Sequence, residues 1–245
     1  MCNGFPFTIG DVRFHNSECA YIAGSYASNN KSSEQIQRMI SLENNGYLAK
    51  RIYRNKPSLT QHMRKDWDQY NTQWMLLVIW LKSIGNSDFA DLLRQIPQEA
   101  HIVENTTLMT GRSSILWGAK NKELMAKRKR FEEGVAYNES FKSMKDLQHA
   151  QMVAANQIND VGVFEGQNVM GKILKLCSLS LIKGDSPPLD LELLSSKKLY
   201  LAGERLTLER LHKFCSPGAA QQIRNPTFSP NKGIQENLKP ETSKQ

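Results

Sequence analysis

Cysteine is scarce and dispersed. Cys2, Cys19, Cys177 and Cys215 form no Cys-x-x-Cys pair and no metal-ligand spacing, a pattern that fits free thiols in a reducing compartment rather than a disulfide framework or a zinc site. Long apolar runs are also missing: nothing approaches the ~18 residues of a membrane helix. No basic stretch leads into an apolar one near Met1, so no secretion signal is expected. The expected location is the cytoplasm, with no membrane partner. The five histidines, His15, His62, His101, His149 and His212, lack ligand spacing. There is no Gly-x-Gly-x-x-Gly after a strand, no Walker loop, no His-Glu-x-x-His helix and no Gly-x-Ser-x-Gly elbow. The common signatures of dinucleotide, P-loop, zinc-protease and α/β-hydrolase chemistry are therefore lacking.

What is present is an ordinary globular balance, with 40% hydrophobic and 23% charged residues in 245. That length is enough for one substantial core plus an insertion or tail. The formal net charge is +8, which favours anionic partners such as nucleotides, pyrophosphates or nucleic acid without choosing among them. Part of the excess sits in one run, Lys127-Arg128-Lys129-Arg130.

Along the chain, Phe7, Ile9, Val12 and Phe14 alternate around Gly10-Asp11, which predicts a hairpin. Ser17 reads as the cap of a helix through about Asn29, and Ser33 as the cap of a helix over 33–44 with Ile36, Met39 and Ile40 inward. A short helix is expected over 47–54. The clearest periodicity joins Met63, Trp67, Tyr70, Trp74, Leu77 and Leu81 at alternating spacings of four and three, predicting one long amphipathic helix over 58–83. Asn86-Ser87 should cap the next helix, over 88–96. His101-Ile102-Val103 reads as a strand with Glu104 at its end, and Gly111 lies in a turn-rich loop leading to Trp117-Gly118. Residues 119–162 are polar and helix-forming. Gly166-x-Asn168-x-x-Gly171 opens a last core helix carrying Ile173, Leu174, Leu176, Leu179 and Leu181. Residues 200–214 suggest a strand and a helix, and beyond Arg224 the composition is that of a disordered tail.

Several polar and aromatic residues admit two readings. Glu18, in the first turn of a helix, is a surface acid complementing the helix dipole or a carboxylate at a site. Trp67 and Trp74 are core packing or ring surfaces for a ligand. Glu104 is a solvated loop acid or a cleft residue at a strand end. Gly166-x-Asn168-x-x-Gly171 is a tight turn with close helix packing, or an anion cradle of free backbone N–H groups.

Taken in order, these segments resemble a known family. Ser17-Glu18-Cys19-Ala20-Tyr21 resembles its Ser-Glu-x-x-Tyr segment, and Arg64-Lys65-Asp66-Trp67 its Arg-x-x-Trp element. His101-Ile102-Val103-Glu104-Asn105-Thr106 resembles its Leu-Val-Glu strand, and Trp117-Gly118 its Trp-Gly pair. The segment from Gly166 through Asn168 and Gly171 to Leu174 resembles its Gly-x-Asn-x-x-Gly-x-x-Leu-Met helix. The family is NADAR, also called YbiA-like, and the likeness covers roughly residues 5–182. The chain departs from the pattern in three places. Met1-Cys2-Asn3-Gly4-Phe5 stands where the family carries Leu-Ser-Asn-Phe. Ser113, Ser114 and Ile115 include no acid before Trp117. The loop after Trp-Gly is greatly expanded.

The resemblance implies a helix-rich α+β fold with a few short strands. One domain would span 1–184 with a helical insertion at about 119–163, followed by an extension over 185–224 and a disordered tail over 225–245. It also implies an N-glycosidase, acting on ADP-ribosylated guanine or on a phosphoribosyl-amine of riboflavin synthesis. Its partners would be a nucleotide or ADP-ribosyl substrate, including ADP-ribosylated nucleic acid. Cleaving a C–N bond at an anomeric carbon passes through an oxocarbenium-like state that a carboxylate can stabilise, attack or serve by deprotonating water. Glu18 is the expected carboxylate, kept ionised by its helix start, with Glu104 beside it. The expected substrate-binding set is Tyr21, Arg64, Trp67, Trp117, Gly118, Asn168 and Gly171. Trp67 and Trp117 would offer faces to the base, Asn168 would hold a ribose or phosphate, and Arg64 with Lys65 would neutralise phosphate. The scheme requires no metal and no cofactor. Two other readings stand beside it: a non-catalytic ADP-ribose or nucleotide-binding module, and a nucleic-acid-associated protein acting through the basic insertion.

Overall fold

A computed structural model of the chain describes residues 5–107, 109, 111–121, 126 and 164–216. Among these, ten α-helices and three short two-stranded antiparallel sheets form a helix-rich α+β fold. The first hairpin pairs β1 (Phe7–Ile9) with β2 (Val12–Phe14), in the register Phe7 opposite Phe14 and Ile9 opposite Val12. Four helices follow: α1 (Ser17–Gly24), α2 (Lys31–Leu42), α3 (Gly46–Tyr53) and α4 (Pro57–Thr60). A 3-10 turn at Trp67–Gln69 leads into α5 (Asn71–Gly85), then α6 (Ser87–Arg94) and α7 (Arg112–Trp117). Strands β3 (Lys120–Asn121) and β4 (Phe164–Glu165) pair across the residues between them. After α8 (Val169–Lys183) and α9 (Leu191–Ser196), the hairpin β5 (Tyr200–Leu201) with β6 (Glu204–Arg205) precedes α10 (Leu208–Cys215). The insertion with Lys127-Arg128-Lys129-Arg130 and the tail over 225–245 lie outside the described residues. No helix among the described residues is long and apolar enough to cross a membrane.

Helix starts follow side-chain chemistry. Asparagine side chains accept a backbone N–H at the heads of α1 (Asn16 from Cys19, 2.9 Å), α2 (Asn30 from Ser33, 2.8 Å) and α6 (Asn86 from Phe89, 3.0 Å), each satisfying one otherwise unpaired donor. Ser17 and Ser33 were expected to cap, yet each sits inside its helix. The asparagine upstream accepts the capping N–H instead, and both serines are buried.

The largest departure is at residues 58–83. One long helix is expected there, but the chain makes α4, the 3-10 turn and α5 as separate pieces. Tertiary bonds win over the helical period. The Arg64 backbone N–H donates to the Ser25 carbonyl at 2.8 Å, and its guanidinium forks onto Asp66 while also donating to the carbonyls of Ala27 and Lys197. Four partners from three segments hold Arg64 in a non-helical bend. Past that bend the periodicity resumes, but the helix is buried all round. Residues 74 to 83 are shielded on every side, as a central helix must be, with α1, α6, α8, α10 and β1 packed about it. At 101–103 no strand forms; a side chain of another segment satisfies that backbone, as described below. On α2, Ile36 and Ile40 point inward as expected, whereas Met39 is 52% exposed.

Trp74 ties α5 to α1. Its ring is fully buried and its indole N–H donates to the Ala20 carbonyl at 3.0 Å. The Trp74→Ala variant should therefore lose about 3–5 kcal/mol of stability in urea denaturation followed by circular dichroism. A loss below about 1 kcal/mol would show that the contact does not organise the core.

Candidate active site

Glu18 occupies the first turn of α1, and three contacts fix where that turn lies. Asn16 caps it and donates from its amide to the Asn44 carbonyl at 3.2 Å. The Cys19 thiol reaches the Glu43 carbonyl at 3.4 Å. From the core side, the Lys82 ammonium of α5 donates to the Ser17 hydroxyl at 3.2 Å. Helix α3 then crosses Glu18 so closely that a Cβ on Gly46 would come within 2.7 Å of the Glu18 Cβ, a distance no side chain there tolerates.

This approach brings the cations of α3 to the carboxylate. Burial pushes the Glu18 pKa above its ordinary value of 4.5. The Lys50 and Arg54 charges pull it back, and the Glu104 carboxylate adds a smaller upward push. The net direction is up. The expected depression by the helix start is thus corrected: desolvation outweighs the field of an eight-residue helix. A carboxyl that gains and loses a proton nearer neutrality suits general acid–base work better than a permanently ionised one.

Aromatic rings wall the same place. Tyr21, one turn along α1, meets Trp67 with ring centroids 5.0 Å apart and Trp117 edge-on at 5.3 Å. The Arg54 guanidinium lies over the Tyr21 ring at 5.9 Å. Burial raises the Tyr21 hydroxyl to about 12, against the opposing Arg54 charge, so it stays a neutral donor. Trp67 is only 5% exposed, and its ring also packs against Tyr70 at 5.1 Å. Protein packs closely about it, so it supports the wall from behind. Trp117, at the end of α7, is half-buried and keeps more open surface.

Glu104 arrives from the other side of the molecule through the Gly-x-Asn-x-x-Gly segment. Asn168 heads α8 in the left-handed region (φ 50°, ψ 44°), a conformation asparagine tolerates better than most residues. Its side-chain N–H donates to the Ile102 carbonyl at 2.7 Å, and its side-chain oxygen accepts the Glu104 N–H at 3.0 Å. A single amide therefore replaces the neighbouring strand that 101–103 would otherwise need. The Asn168 backbone N–H donates to the Gly118 carbonyl, and Ala119 N–H to the Glu104 carbonyl at 2.9 Å. Gly171 makes the approach possible, because a Cβ there would stand 2.1 Å from the Ile102 oxygen. Asn168, Gly171 and Gly118 were expected at the substrate. Their polar atoms and close approaches serve the main chain and help hold Glu104 in place.

Arg64 is likewise engaged by the protein. Its fork meets Asp66 (2.9 and 2.7 Å) and two carbonyls, so it braces the bend at 64–66. Lys65 beside it is exposed. The cations that do reach the carboxylate, Lys50 and Arg54, were not singled out in the sequence. The only hint there was their i, i+4 spacing on a short predicted helix. Asp68, whose charge is felt at Tyr21, was missed too. Among the described residues no three His, Cys, Asp or Glu side chains gather as a metal site would require.

The raised carboxyl has a thermodynamic consequence. A carboxyl whose folded pKa is raised gives its full stabilisation below the unfolded value and loses it as pH rises through the folded one. Glutamine imitates the protonated form. The Glu18→Gln variant should therefore melt at a higher temperature than the parent at pH 7–8, with the difference vanishing near pH 4. A lower melting temperature at pH 7 would overturn this electrostatic picture.

No protein-family model matches the chain, and neither a curated protein nor a solved structure matches it.

Proposed function

We propose that the chain is an N-glycosidase of the NADAR (YbiA-like) kind, hydrolysing the C–N glycosidic bond of an ADP-ribosylated guanine or of a phosphoribosyl-amine. The observation that carries this reading is the Glu18 carboxyl, raised by burial beside two cations and a second acid and walled by Tyr21 and Trp117. Each part answers a need of the reaction. The carboxylate deprotonates water or faces the oxocarbenium-like carbon. Lys50 and Arg54 balance phosphate charge on the substrate while favouring the ionised form of Glu18. The open surface of Trp117 accepts a flat base, and stacking there is worth about 1–3 kcal/mol. Glu104, coupled to Glu18 by charge, serves as the acid that assists the leaving base.

A second reading, a non-catalytic nucleotide-binding module, is favoured by one specific observation. Two of the residues expected to bind substrate, Asn168 and Arg64, are engaged by the protein itself, and no acid stands at 113–115 before Trp117.

Mass spectrometry separates the two. The full chain is incubated with ADP-ribosylated guanosine and, separately, with the riboflavin-pathway ribosyl-amine phosphate. The glycosidase reading expects free ADP-ribose or ribose phosphate, with turnover by Glu18→Gln reduced about 100-fold or more. Ligand binding without product, with an affinity unchanged in that variant, selects the module instead.

The cations generate a further expectation. Because Arg54 lowers the Glu18 pKa, removing its charge in Arg54→Gln raises it further. If Glu18 acts ionised, the acidic limb of the kcat/KM profile should move to higher pH in that variant. A limb that stays in place or moves to lower pH removes Glu18 as the titrating group.

A further inference from the structure

The extension that follows α8 builds a cavity of its own, outside the segments that resemble NADAR. It encloses about 560 Å³ between the residues leading into α9 and the last turn of α10, within the range of small-molecule pockets. None of its lining residues belongs to the wall around Glu18. Both sides are tied to the central helix. The Asp190 backbone N–H donates to the Gln73 side chain at 3.0 Å, and the Cys215 carbonyl accepts the Trp80 indole N–H at 3.1 Å. The cavity is therefore held by α5 as well as by its own segments.

Pro187, Leu189 and Leu191 give the cavity an apolar wall. The Cys215 thiol, 5% exposed and pushed up to about 12 by burial, stays neutral beside them. Asp190 and Glu192 add two carboxylates, and no Lys or Arg among the described residues lines the space. Neither acid has an ion-pair partner among the described residues. Asp190 gives one oxygen to the Leu193 N–H at 2.8 Å, capping α9, and its other oxygen accepts nothing from the described residues. Unpaired acids at a cavity select a cation, against the general field of a chain with net charge +8. An anion has no place there, because the two acids already occupy the head of α9. A single metal ion fits poorly as well. Residues two apart on a helix do not face each other, and although His212 also lines the cavity, no three His, Cys, Asp or Glu side chains gather among the described residues. The positive charge that suits this space is spread along an apolar body.

We propose that this cavity binds a linear aliphatic polyamine, with ammonium groups on Asp190 and Glu192 and the methylene chain along Pro187, Leu189 and Leu191. The volume holds a whole molecule of that kind, and the alternation of charge and methylene in the ligand matches that of the lining. Binding here does not depend on the glycosidase reading.

Isothermal titration calorimetry of the full chain with spermidine, a linear triamine, tests the cavity at low salt. The expected result is saturable one-to-one binding that weakens as salt is added. Hexane-1,6-diol, an uncharged chain, should not bind. Asp190→Asn removes one charge and keeps the cap of α9. That variant and Glu192→Gln should each weaken binding about two- to fivefold, and the two together about tenfold. Thermal melts establish that these variants, changed at exposed positions, remain folded. The proposal is overturned if spermidine does not bind saturably, if the double variant binds like the parent, or if magnesium ions at equal concentration displace spermidine, which marks an acidic surface only. Tighter binding of a tetralysine peptide, lost in the double variant, assigns the cavity to a protein partner and overturns the polyamine as its occupant.

Discussion

Everything at the site hangs from the joint between α5 and α1. The Trp74 indole N–H on the Ala20 carbonyl, with the Tyr70 hydroxyl on the Gly24 carbonyl at 3.0 Å and Lys82 on Ser17, fixes the short helix α1 along its length against a helix that has no solvent face. Because α5 is buried on every side over residues 74 to 83, it cannot shift without exposing a large apolar area at ~25 cal/mol per Å², and α1 cannot shift without it. The position of Glu18 is inherited from that packing, and α3 is held over Glu18 by the close contact at Gly46.

A carboxyl in that position is a liability to the fold. Desolvation disfavours its charged form more than the two neighbouring cations favour it, so the native state is strained electrostatically at neutral pH. Proteins retain such a group where it has work to do more often than where it has none. Lys50 and Arg54 are the two cations that offset part of this cost.

Polar residues that stand out in the sequence divide into two kinds once folded. Asn168 and Arg64 spend their hydrogen-bonding capacity on carbonyls and N–H groups of remote segments, doing what a strand or helix would otherwise do for backbone that has neither. Their effect on the site is indirect: the Asn168 amide, with the Ala119 N–H on the Glu104 carbonyl, fixes residues 102–104 and so places Glu104.

Much of this was legible from local chemistry. The first hairpin followed from alternation, and the starts of α1, α2 and α6 from asparagine and serine lying just ahead of apolar periods, within one to three residues. The helix-rich α+β class, which the resemblance implied, is the class of the described residues. Alternation and caps are properties a segment carries in its own residues. Other features depend on bonds between distant segments and could not be read from spacing. The split of 58–83 depends on carbonyls at Ser25, Ala27 and Lys197 that Arg64 meets only in the folded chain. The loss of a strand at 101–103 depends on an amide some sixty residues away. The upward direction of the Glu18 pKa depends on how much water α3 removes, and desolvation has no sequence signature. Sequence by itself determined the periods, the caps and the presence of an acid in a first helical turn. Only the tertiary structure decided which cations face that acid and whether its charge is welcome there, because both are set by distances that close after the chain folds.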